Sequence, residues 1–124
     1  MTFAAIIDTG GPITVVSPAF ADAVGDEAHD SGARTVLRLA GRRYDAPLFS
    51  VTLALHSSWE APEDLRLWAS MVGVLDPWPH EGTALILGQH GFLDRFTVTF
   101  GPQGFAVEPG ETFSTRFGPS WPAD

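Results

Sequence analysis

An apolar run, Ala4-Ala5-Ile6-Ile7, delivers one carboxylate, Asp8, into the turn Thr9-Gly10-Gly11-Pro12. The apolar run resumes at Ile13, Val15 and Val16. No other stretch constrains the fold as much. A Gly/Pro turn between two apolar runs reads as strand, tight loop, strand. An acid at the exit of an apolar strand costs free energy unless it is hydrogen-bonded, paired or protonated. Asp8 is therefore the first candidate functional residue. The plainer alternative is that it opens an ordinary turn hinged on Gly10-Gly11.

The same punctuation runs through the chain. Thirteen glycines and ten prolines in 124 residues favour short elements with many turns, which points to β structure. The length suits one domain, and 44% hydrophobic residues are enough for a core. With no cysteine, disulfides and thiolate metal sites are excluded. The formal net charge is -8 and there is no lysine, so nucleic acid is a poor partner. No apolar run reaches about 18 residues, so no membrane span is expected. No basic region leads into a long apolar stretch near Met1, so no signal peptide is visible and a cytoplasmic location is the default. Arginine as the only strong base, with abundant Ala, Gly and Pro, suits a GC-rich bacterial genome.

Taken in order, the pattern predicts strands over residues 2–7 and 13–16. A short helix follows: Ser17 is its N-cap, Pro18 lies in its first turn and Gly25 is its stop. Residues 26–32 read as a loop. Thr35 to Leu39 and Tyr44 to Leu55 form a hairpin around Ala40-Gly41-Arg42. Residues 56–64 read as an acidic, turn-like insertion, 65–75 as a strand bent near Gly73, and 76–82 as a loop. Thr83 to Leu87 is an apolar strand ending at Gly88, and Gln89 to Asp94 is a short helical turn. Phe96 to Phe100 and Phe105 to Pro109 alternate and form a last hairpin. The domain is expected to span 1–109. Residues 110–124 form a Pro/Gly-rich tail carrying Phe113, Phe117 and Trp121.

Two motifs in this order carry a family resemblance. Ile6-Ile7-Asp8-Thr9-Gly10, followed by Thr14-Val15-Val16, resembles the active-site loop of retroviral-like (retropepsin-like) single-domain aspartic proteases. Leu85-Ile86-Leu87-Gly88 resembles the hydrophobic-Gly strand end that crosses near that loop in the same family. The phrase Gly91 to Phe100 looks like the end of bacterial members, and the resemblance covers roughly residues 4–109. It implies an all-β, retropepsin-like acid protease half-barrel with one or two short helices. It also implies an aspartic endopeptidase with a peptide or protein substrate and no cofactor. In this family two aspartates share the work: one, ionised, activates a water, and the other, protonated, donates to the scissile carbonyl. This chain has one Asp-Thr-Gly, and Asp94 lacks the glycine turn and is read as a local cap. The resemblance thus implies a homodimer with one Asp8 per chain as the catalytic dyad. Thr9 would support the loop and Gly10 would allow close backbone approach. Ala40, Gly41 and Arg42 would form the flap tip, and Leu87-Gly88 the second family motif. Departures are Gly11-Pro12 in place of the usual Ala or Ser, and a flap tip with one glycine and two arginines.

Other constellations are weaker. His29, His56, His80 and His90 are isolated, with no His-Glu-x-x-His spacing, so no metal site is expected; His90 is of interest for its place after Gly88. Ser17 and Ser70 lack nucleophile-elbow glycines. Gly10-Gly11-Pro12 is no phosphate loop, since no Lys follows. The four tryptophans are read as core or loop anchors before groove-liners. Two alternatives to the peptidase remain: a catalytically inactive retropepsin-like interaction or peptide-binding module, and an unrelated small β-barrel with a structural Asp8.

Overall fold

The computed structural model describes residues 3–56, 65–102 and 104–110. Of the insertion expected over 56–64, His56 instead ends a strand, and 57–64 lie outside the described residues, as do the tail beyond Gly110, Trp59 and Trp121. Among the described residues the chain is all-β apart from one short helix and a single 3₁₀ turn, Gly25–Glu27. Strands β1 (Ala5–Ile7), β2 (Val15–Val16), β3 (His29–Leu39), β4 (Arg42–His56), β5 (Leu65–Val74) and β6 (Leu85–Leu87) make one sheet. Their order is β1-β6-β2-β5-β4-β3. Strands β7 (Phe96–Gly101) and β8 (Gly104–Pro109) form a separate hairpin. No helix among the described residues is long and apolar enough to cross a membrane.

The sequence signals locate most of these elements. Helix α1, Pro18–Val24, starts where Ser17 Oγ accepts the Phe20 N–H at 3.1 Å. It stops at Gly25, whose φ of 61° suits a residue without Cβ. The β3–β4 turn is the two residues Ala40 and Gly41, with φ of 51° and 76°. Paired positive φ values match the right-handed twist of a hairpin.

Two expectations need correction. Residues 26–32 are not a loop throughout: β3 begins at His29 and pairs with Ser50. It is an edge strand with residues 29–34 exposed, so no apolar alternation marks it. A register shift between Asp30 and Arg34 further breaks the period. Secondly, residues 89–94 form successive turns instead of a regular helix. Their bonds mix spans, with Asp94 N donating to Gln89 O at 2.9 Å and Phe96 N to Phe92 O at 2.9 Å.

The core has two apolar clusters, and the short central strands lie between them. Val16, Leu85 and Leu87 join Val51, Leu53, Trp68, Val72, Phe92 and Phe96. Val15 and Ile86 join Leu37, Tyr44, Ala46 and Leu75. Neighbouring residues of β2 and of β6 thus point to opposite faces, and both strands are buried on both sides. Strand β4 serves both clusters. Ala46 and Val51 are an odd number of residues apart, so the long strand turns one face to each cluster along its length. That is how a single sheet curls around two layers of side chains.

Ala40 is the one described non-glycine residue with positive φ. An L-residue there costs roughly 1 kcal/mol that glycine or asparagine escapes. Ala40→Asn is expected to raise unfolding stability by about 1 kcal/mol in urea titration. A loss of stability would show that the turn is not of this type.

Candidate functional site

Asp8 stands where β1 leaves the sheet. Strand β6 lies between β1 and β2, parallel to the first (Ile7 beside Leu87) and antiparallel to the second (Val15 beside Ile86). The connection 8–14 must therefore pass over the end of β6. It is laced to the chain that leaves β6, residues 88–90. Asp8 N donates to Leu87 O at 2.9 Å, Gln89 N to Gly11 O at 2.8 Å and His90 N to Pro12 O at 3.1 Å. Thr14 N donates back to His90 O at 2.8 Å. Ile13 and His90 complete the crossing as a parallel bridge.

Gly88 is where the two segments touch. A Cβ at this position would lie 2.3 Å from Ile13 O and 2.9 Å from Gly11 O. Only a residue without a side chain fits. Its N–H donates to Thr14 Oγ1 at 3.2 Å in a fully buried setting. The Thr14 hydroxyl therefore satisfies a backbone donor left over where β6 ends.

The carboxylate is half-buried and held by its own loop. Gly10 N–H donates to Asp8 Oδ1 at 3.0 Å, and Gly11 N–H to Asp8 O at 3.1 Å. The Gly10 and Gly11 backbones pass so near that an added Cβ would sit 3.5 Å from Oδ1 and 3.3 Å from Oδ2 respectively. At Gly10 this is ordinary van der Waals contact, and the tighter approach to the acid is at Gly11. Thr9 and Gly10 are exposed, and the Thr9 carbonyl accepts a hydrogen bond from Gln89 Nε2. The second segment is anchored from below. Trp68 Nε1 donates to Gly91 O, and the Trp68, Phe92 and Phe96 rings pack with centroids 4.9–5.7 Å apart.

The structure brings Asp8, Thr9, Gly10, Leu87 and Gly88 together. Ala40, Gly41 and Arg42 lie elsewhere, at the far end of the hairpin on the opposite side of the sheet order. The hairpin and the loop meet through Ile13. Ile13 Cδ1 and Ala46 Cβ converge over Gly73, 3.2 and 3.5 Å from where its Cβ would be. Leu39, the last residue before the turn, packs on the same cluster as Ile13. Asp94 takes the local role expected of it, its Oδ1 accepting the Gly91 N–H at 3.1 Å. His90 is largely exposed and lies 4.0 Å from Asp94 Oδ2. Trp68 is core, and Trp78 anchors a loop by donating to Thr83 O at 2.8 Å.

Sequence reasoning assigned no role to Thr14 or Gln89. A hydroxyl inside the apolar run Ile13 to Val16 was the available signal for Thr14. Nothing in the sequence marks Gln89, whose contact depends on the crossing. Among the described residues, no three His, Asp or Glu side chains converge to hold a metal ion. Comparison with protein-family models, with curated proteins and with solved structures gave no match in any of the three.

The crossing makes two substitutions costly. Thr14→Val leaves the buried Gly88 N–H without its acceptor and should cost about 1–3 kcal/mol of stability. Gly88→Ala should cost about 3 kcal/mol or more, because the clash is with backbone carbonyls of the crossing segment and not with a movable side chain. Urea unfolding of each variant measures both, and a near-neutral Gly88→Ala would disprove the close approach.

Proposed function

We propose that this chain is an aspartic endopeptidase that works as a homodimer, with one Asp8 from each copy forming the catalytic dyad. The observation that carries the reading is the Asp8 loop: a half-buried carboxylate wrapped by Gly10 and Gly11 and braced from behind by Gly88 and Gln89. A carboxylate that must meet a second one needs a backbone that fixes its position and leaves its outer side open. The Asp-Thr-Gly and Leu-Gly motifs support the reading by resemblance, since they meet here as such loops do in retropepsin-like proteases.

In this reading a twofold axis sets the two Asp8 side chains face to face. Two carboxylates about 3 Å apart cannot both ionise, and aspartic proteases are the standing example of the resulting split in apparent pKa values. The ionised member takes a proton from the attacking water as it adds to the peptide carbonyl. The protonated member donates to the carbonyl oxygen, giving a neutral tetrahedral intermediate. Collapse with proton transfer to the leaving nitrogen releases the two fragments. The constants belong to the pair and not to either chain. The β3–β4 hairpin is the flap, closing over an extended peptide and excluding water. No cofactor takes part.

Cleavage of a peptide library should peak at roughly pH 4–6, fall on both sides and be blocked by pepstatin. Asp8→Asn should lose about 1,000-fold or more. Subunit mixing tests the dimer directly. At fixed total protein, an equal mixture of native and Asp8→Asn chains, allowed to exchange, should retain about one quarter of the native activity, since only native pairs carry both acids. Retention of one half would mean that each chain works alone. Undiminished cleavage by Asp8→Asn would refute the mechanism.

A further inference from the structure

Three of the chain's seven basic residues, Arg38, Arg42 and Arg43, stand at the end of the β3–β4 hairpin. The register sets Arg38 directly opposite Arg43 and Arg42 opposite Leu39. Opposed like charges on one face of an antiparallel pair have Cβ atoms only about 4.5–5.5 Å apart and are destabilising. The two-residue turn fixes this arrangement, and all three residues are exposed. Among the described residues no carboxylate lies within 4.0 Å of any of them. Arg34, lower on the same strand, contrasts with them: its Nε holds Asp45 Oδ1 at 2.9 Å. The tip is thus a positive cluster on a chain whose net charge is -8.

Its position gives it a use. Arg42 shares the strand face of Tyr44 and Ala46, and Ala46 meets Ile13 of the Asp8 loop over Gly73. Ala46 lies five residues along the strand from Gly41, a reach of about 16 Å. The tip therefore stands off from the loop by the length of a short extended peptide, with Arg42 on the inner face and Arg38 and Arg43 on the outer. We propose that this tip recognises carboxylate side chains, so that the ligand class of the hairpin is an extended peptide rich in Asp and Glu. Guanidinium groups suit such recognition, because each offers a planar fork of donors that matches a carboxylate. A bound acid also relieves the Arg38–Arg43 repulsion, which adds to the gain on binding. The inference rests on the reading of the hairpin as a flap, but its chemistry does not require that the chain cut what it holds.

The test uses the full chain carrying Asp8→Asn, so that cleavage cannot interfere. Fluorescence anisotropy is measured with a labelled Asp/Glu-rich peptide and with its Asn/Gln counterpart. The acidic peptide should bind at least tenfold tighter, and the difference should shrink as NaCl rises, since exposed charges are screened beyond about 10 Å at 0.1 M salt. Neutralising the tip with R38Q/R42Q/R43Q should remove the preference, each exposed pair contributing about threefold. Arg95→Gln, with the same charge change as any one tip variant, should leave it in place. Thermal unfolding should show the triple variant folded and no less stable, because a repulsion has been removed. Equal binding of the two peptides, or a preference that survives in the triple variant, would overturn the proposal. Arg-dependent binding by a chain whose native form cleaves nothing would uphold it and count against the peptidase reading alone.

Discussion

The contact between Gly88 and the Ile13 carbonyl governs this architecture. Two strands that follow one another in sequence, β1 and β2, are separated in the sheet by β6, which arrives some seventy residues later. Their connection must climb over the end of β6. The chain leaving β6 must pass under it with no room for a side chain. Backbone groups of the crossing pair between the two segments, at Asp8 with Leu87, Gln89 with Gly11 and His90 with Pro12 and Thr14, and the Gly88 N–H finds Thr14 Oγ1. Local propensity contributes little here, since β1, β2 and β6 have only two or three residues each. Their cohesion comes from the crossing and, for β2 and β6, from burial on both faces.

That arrangement has a consequence for Asp8. A carboxylate at the end of a three-residue edge strand would ordinarily wander with it. Here the residue after the strand is tied to Leu87, its side chain to Gly10 and its loop to Gln89 and His90. The segment beyond Gly88 is in turn pinned by the Trp68, Phe92 and Phe96 rings, which belong to the first cluster. The aromatic core thus positions the acid through two layers of backbone. Rigid placement by supporting residues is what a site for paired-carboxylate chemistry needs.

Much of this was legible in the sequence because it depends on local chemistry. Ser17, Pro18 and Gly25 bound the helix, and Ala40-Gly41 turns the hairpin. The strict alternation from Phe96 marks the last strands, as the structure places them. Asp8 and Gly88 stand out separately in the sequence, and their meeting is what the family resemblance implies. Two kinds of feature stayed hidden. The polar stretch 29–34 becomes strand by hydrogen bonding along an edge, and such a strand needs no apolar face. Thr14 and Gln89 acquire roles only when segments some seventy to eighty positions apart touch, and no window of sequence carries that information.

Electrostatics ties the candidate site to the whole chain. Two copies brought together at Asp8 each carry a formal charge of -8 at neutral pH, so their association works against a repulsive field. Acidification weakens that field, because side-chain carboxylates as a class begin to take up protons below about pH 5. The same fall in pH supplies the single shared proton that a carboxylate pair requires. In the proposed homodimer, assembly and chemistry would therefore respond to pH in the same direction. A homodimer of so acidic a chain is most readily formed where an aspartate dyad is also most readily half-protonated.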